Sequence, residues 1–172
     1  MIKAPPAIQE RTHGRAELKI KLEVDTDPPG QFNTETIQIL VPISFSVNTY
    51  TQPDLFAGKI SAVLCRNWQS RVKGRDWYDF LWFVQRGVPI GMQHLEQRLR
   101  AVGFYNDPQP LTPVKVSQML RDRTQEVSLS QAREDIVKFI KDPRRLDGWS
   151  EQTFLHAIDR MQFKLAGLEA VL

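Results

Sequence analysis

Along LKIKLEVD, residues 18 to 25, apolar and charged side chains alternate strictly. Leu18, Ile20, Leu22 and Val24 fall on one side, Lys19, Lys21, Glu23 and Asp25 on the other. A period of two predicts a half-buried strand. Thr26-Asp27-Pro28-Pro29-Gly30 follows and predicts a turn, because two prolines and a glycine suit neither a ladder nor a helix. TIQILVPISFSVNTY is rich in β-branched residues and interrupted by Pro42, which predicts two short strands or a bulged edge.

After Pro53 the period becomes helical. Leu55, Phe56, Ile60, Val63 and Leu64 make one apolar face, with Pro53 suited to a first turn and Asp54 to the positive end of the helix dipole. A second helix is predicted from about Gly74 to Gln85, packed through Trp77, Phe80, Leu81 and Val84 and stopped at Arg86-Gly87. Further helices are predicted over 90–102, 113–126 behind Thr112, 129–141, and 150–166 behind Ser150. The loops NDPQPLT and DPRRLDG carry the prolines between them. Strands first and helices after is an α+β layout, which divides the chain into a strand-rich part, 1–52, and a helical part, 53–172.

Composition narrows the class without naming a function. With 172 residues, 41% hydrophobic and 25% charged, the chain can bury a sizeable core. The net charge of +3 is mild, and the cations between residues 66 and 75 carry more meaning than the sum. One cysteine, Cys65, excludes an internal disulfide and a Cys-rich zinc site, and its apolar setting predicts an inert thiol. His13, His94 and His156 are scattered and suggest no triad. No stretch reads as a signal peptide or a membrane span, so the expectation is a cytoplasmic protein that makes no use of a membrane.

Three groups of residues carry candidate chemistry. Glu23 and Asp25 leave one face of the predicted strand and together could hold Mg²⁺, although a solvated strand face alternating with Lys19 and Lys21 is the simpler account on spacing alone. Asp25-Thr26-Asp27 is a D-x-D, but Asp27 enters the turn and Gly14 is followed by Arg15 where a metal motif needs serine, so the match is rejected. Lys59, beside the small Gly58, can approach phosphate oxygens as a point charge, or simply snorkel to water. Arg75-Asp76-x-x-Asp79 sets two carboxylates on one helical face. Structurally, Asp76 would answer the helix dipole or pair with Arg71, Lys73 or Arg75. Functionally, it would act as a general base or orient Lys59, with Arg66, Arg71, Lys73 and Arg75 on the phosphates of a nucleotide or of RNA. Trp68, Trp77, Tyr78 and Trp82 add aromatic surface, most of it placed by spacing in the core.

Taken together, IKLEVDTDPP, FSVNTYTQPDLFAGKISAVLCR and RVKGRDWYDFLWF resemble the AbiEii/AbiGii nucleotidyltransferase toxins, strongly over residues 17 to 86 and loosely beyond. The resemblance implies a partial polymerase-β-like nucleotidyltransferase sheet followed by a C-terminal helical bundle. It implies a toxin of a toxin–antitoxin or abortive-infection system that uses Mg²⁺ and a nucleoside triphosphate, some members adding nucleotides to the 3′ end of tRNA. Carried onto this chain, Lys59 matches the phosphate-binding lysine, Asp76 the helical aspartate, Arg75 and Asp79 the rest of RDxxD, and Glu23 or Asp25 the strand carboxylate near the metal. The family's Gly-Ser and D-x-D element should lie upstream of LKIKLEVD, and the chain starts downstream of it. Three expectations follow. The first is a nucleotidyltransferase half-site completed from elsewhere. The second is an inactive remnant that binds RNA or a cognate antitoxin, and the third a plain helical scaffold. An incomplete sheet also predicts an exposed apolar face and self-association.

Overall fold

The computed structural model describes residues 22–67 and 72–165. Its first elements are β1 (Thr34–Ile39) and β2 (Phe45–Tyr50), an antiparallel hairpin in which Ile37 faces Val47 and Ile39 faces Phe45. The connection holds Pro42, preceded by a cis peptide bond, so the proline that broke the predicted run sits in the turn and leaves both ladders intact. Nearly every residue of the hairpin faces solvent.

Helix α1 (Gln52–Cys65) starts directly after β2, and the junction is fixed by Asp54. Its carboxylate, 4% exposed, accepts hydrogen bonds from the Asn33 amide at 2.7 Å, Asn33 Nδ2 at 3.2 Å and the Thr51 hydroxyl at 2.9 Å. An anion in a first turn is stabilised by the dipole, and here the same group ties the chain before β1 to the start of α1. Its other oxygen lies against Gly91, where a Cβ would stand 2.3 Å from Oδ1. Glycine is needed there because the backbone closes onto a carboxylate.

The helical body follows: α2 (Gly74–Gln85), the two-residue strand β3 (Ile90–Gly91), α3 (Met92–Ala101), α4 (Pro113–Glu126) and α5 (Leu129–Val137). A 3₁₀ turn (Pro143–Leu146), α6 (Glu151–Asp159) and β4 (Phe163–Lys164) complete it. Thr112, Ser128 and Ser150 each accept a hydrogen bond from an amide of the first turn behind them, as N-caps should. Phe56, Ile60 and Leu64 of α1 meet Trp77 and Phe80 of α2, Leu95 and Leu99 of α3, Leu120 of α4 and Phe154 of α6 in one core. Each such side chain contributes about 1.5–3 kcal/mol by leaving water. Phe56 stacks on Phe83 with centroids 4.8 Å apart, and Trp77 meets Phe154 edge-on at 5.2 Å.

The α+β class holds, with corrections inside it. Residues 22–25, the described part of the predicted first strand, form no strand, and Leu22 and Val24 are exposed. Alternation supplies a strand with faces, but its backbone needs a neighbouring ladder, and none of the described strands runs beside it. Residues 18–21 lie outside the described residues. Leu55 is 38% exposed, and the apolar face of α1 is carried by Phe56, Ala57, Ile60, Val63 and Leu64. The predicted helix 129–141 stops at Val137, and the loop DPRRLDG contains the 3₁₀ turn capped by Asp142. The predicted helix 150–166 ends at Asp159, because residues 163–164 pair in parallel with β3, Ile90 opposite Phe163. The same pairing takes Ile90 out of the predicted helix 90–102.

Candidate active site

Helices α1 and α2 pack antiparallel, as the order of their contacts shows: Phe56 with Phe83, Lys59 with Asp79, and Arg66 with Asp76. Lys59 lies one turn beyond Phe56 and Asp79 one turn before Phe83, so the charged pair sits at the rim of an aromatic seam. Lys59 Nζ lies 2.6 Å from Asp79 Oδ2, both partly exposed. Arg66, the first residue after α1, brings Nε to 3.1 Å from Asp76 Oδ2. That contact is out of hydrogen-bond alignment, and Asp76 Oδ2 has no hydrogen-bond partner among the described residues. Burial therefore pushes the Asp76 carboxyl above the usual carboxylate range, against the pull of Arg66, Lys59 and Lys73.

Gly74 explains how Asp76 comes to be buried. A Cβ on it would stand 1.9 Å from the Ala132 carbonyl oxygen, so only glycine lets the start of α2 press onto α5. The Gly74 amide also donates to Asp135 of α5 at 3.1 Å. Lys73 is the cap residue just ahead.

Lys59, Asp76 and Asp79 thus converge with Lys73 and Arg66. Among the described residues the pairing differs from the sequence expectation in two respects: the cation at ion-pair distance from Asp76 is Arg66, and the carboxylate that holds Lys59 is Asp79. Only the packing of α1 on α2 fixes that choice. Arg75 turns the other way, its guanidinium 5.5 Å from the Phe139 ring centroid. Arg71 and Trp68 lie outside the described residues. Gly58 is unconstrained, with Arg98 the nearest group to an added Cβ at 4.0 Å. Glu23 and Asp25 lie in exposed irregular chain, and Asp25 Oδ1 accepts the Asp27 amide at 3.1 Å in a local turn.

The donors suit phosphate better than a metal. Asp76 already faces Arg66 and Asp79 already holds Lys59, so a divalent cation would have to displace both partners. Among the described residues no three His, Cys, Asp or Glu side chains gather as a metal cluster. The three cations Lys59, Arg66 and Lys73 outnumber the two carboxylates, which leaves the cluster attractive to an anion. Cys65 is a free thiol whose pKa burial raises, consistent with the inert role its setting predicts. His94 is consumed structurally: Nδ1 lies 2.9 Å from the Gly30 carbonyl and the ring stacks on Tyr50. No helix among the described residues is long and apolar enough to cross a membrane.

No curated protein and no solved structure matches the chain. The family model described as "Nucleotidyl transferase AbiEii toxin, Type IV TA system" matches residues 4–160, which takes in the hairpin, the candidate site and the helical body. The chain belongs to the AbiEii nucleotidyl transferase toxin family of type IV toxin–antitoxin systems.

Proposed function

We propose that the cluster on α1 and α2 is the helical half of a nucleotide site that transfers a nucleoside monophosphate from an NTP to an RNA end, such as the 3′ end of tRNA. The observation that carries this reading is the charge arrangement: Lys59 held by Asp79, with Arg66 and Lys73 beside the buried Asp76. In this reading Lys59, Arg66 and Lys73 draw in the triphosphate, and the Asp79 carboxylate holds the Lys59 ammonium in place. The acceptor hydroxyl attacks the α-phosphorus, pyrophosphate leaves, and the hydroxyl proton passes to Asp76. Burial supports that role, because a carboxylate with a raised pKa is a stronger base than one in water. The expected Mg²⁺ finds no fitting donors in this cluster, and the family's Gly-Ser element has no counterpart in the sequence, which contains no Gly-Ser pair. The catalytic carboxylates for the metal are therefore proposed to come from outside the described residues. A cognate antitoxin is the natural partner of a toxin of this family.

Binding of ATP, GTP, CTP and UTP to the purified chain, with and without Mg²⁺, tests the reading. One or more should bind, and Lys59→Ala should weaken that binding at least tenfold. With Mg²⁺ and the N-terminal half of a complete homologue added, labelled NTP should then enter tRNA with the wild-type chain and not with Asp76→Asn. If no nucleotide binds, the cluster is a structural ion-pair group, and the second reading, a module that binds RNA or antitoxin without catalysis, takes its place.

A further inference from the structure

We infer that a groove along the outer side of α2 binds single-stranded RNA, stacking its bases on Tyr78, Trp82 and Trp149 and holding its phosphates with Arg75, Arg86 and Arg145. Two adjoining clefts form it. One, of about 460 Å³, is lined by Tyr78, Trp82, Arg86, Arg145 and Trp149 among others. The other, of about 440 Å³, is lined by Arg75, Tyr78, Asp79 and Arg145 among others. Tyr78 and Arg145 line both, so the two clefts adjoin across these side chains, and Asp79, which lines the second, is the residue that holds Lys59.

The helical period explains why these residues share a side. Arg75, the neighbours Tyr78 and Asp79, Trp82 and Arg86 follow one another three or four positions apart, one stripe along α2, while Trp77, Phe80 and Phe83 turn inward. The stripe is about 16 Å long, at 1.5 Å per residue, longer than a single nucleotide needs. The 3₁₀ turn brings Arg145 to the opposite wall. Trp149 is held there by its edge-on contact with Phe154 at 5.4 Å.

Charge points to a polyanion. Asp79 is neutralised by Lys59, and Asp142, the other carboxylate lining the groove, by Arg144. Arg75, Arg86 and Arg145 make no ion pair with any described residue. The Arg86 guanidinium lies over the Trp82 ring, 4.0 Å from its centroid, and a guanidinium on an indole is itself a platform for a base. Partly buried aromatic rings set among guanidiniums that make no ion pair fit bases and phosphates of one strand. An acidic peptide would use the cations and leave the rings idle. The inference rests on the proposed nucleotide site only for direction, because the groove leads an acceptor strand toward Lys59.

Fluorescence anisotropy of a short labelled single-stranded RNA with the full chain, over a range of salt, tests this. Trp82→Ala should weaken binding roughly 5- to 150-fold, as loss of one stacked base does, and Trp82→Phe should restore most of it. Because Trp82 also packs on Phe83, the exposed pair Arg86→Gln/Arg145→Gln serves as the second variant. It should flatten the slope of log affinity against log salt by about 1.4, two phosphates at about 0.7 each. Absence of RNA binding by the wild type, equal affinity of Trp82→Ala, or equally effective competition by poly-glutamate or duplex RNA would each overturn the inference. NTP binding by the same preparation separates the two readings: NTP without RNA removes the groove alone, and RNA without NTP removes the nucleotide site alone.

Discussion

The hairpin and the helical body are built from similar apolar residues and treat them in opposite ways. Phe56 and Phe80 are sealed in the core, whereas Ile43 at the hairpin turn is 73% exposed and Phe45 on β2 51%. Both regions carry clear apolar patterns, so the pattern alone does not distinguish them. What differs is the number of neighbours the topology supplies. Each helix of the body meets at least one other, while the hairpin is a two-stranded sheet with no third strand among the described residues. A two-stranded sheet in water is marginal by itself, and this one is secured at its base by Asp54.

Breaking the body should cost most. Phe154→Ala removes a ring that touches Trp77, Phe80 and Trp149, and should lower stability by about 3–5 kcal/mol in urea unfolding. Asp54→Ala probes the junction. Loss of a buried anion with three donors should cost about 1.5–3 kcal/mol, with hydrogen exchange accelerating most in β1 and β2. If exchange rises equally in the helices, hairpin and body are one cooperative unit and the contrast fails.

The next effect is smaller and of opposite sign. A carboxyl whose folded pKa is raised costs stability above that pKa, and the cost vanishes once pH falls below its unfolded value. Asp76→Asn should therefore unfold at a higher temperature than the wild type at neutral pH, with the difference shrinking toward acid. A lower melting temperature at neutral pH would show that the Arg66 contact outweighs the burial. Least of all, Ile43→Ser should change stability by no more than about 0.5 kcal/mol while reducing self-association in sedimentation.

The same contrast governs what the sequence revealed. Helices α2 and α4 match their predicted bounds, and the split of the hairpin at Pro42 was equally legible, because local period, caps and a proline decide those features. The run 18–25 was misjudged over its described part since a strand depends on a neighbour that alternation does not encode. The end of α6 was overrun because β4 forms on β3, far away in sequence. At the candidate site, Lys59, Asp76 and Asp79 were visible as residue types at helical spacing. Their pairing was not, because it is set by α1 packing antiparallel on α2. Arg86, Arg145 and Trp149 carried no signal at all: they converge only after the 3₁₀ turn folds against α2.

The parallel tie between Ile90 and Phe163 bears on how truncated forms of this protein behave. A chain clipped just before Phe163 keeps every side chain of the α1–α2 cluster and of the groove, yet leaves the Ile90 amide, which donates to the Gln162 carbonyl at 2.8 Å, at a frayed end. Ile90 and Gly91 stand between α2 and α3, and Gly91 is the residue that closes on Asp54. Trimming a few residues from that region would thus loosen the platform under the chemistry while sparing the chemistry itself. An inert truncation would report a lost brace, and only point variants can indict Lys59 or Asp76.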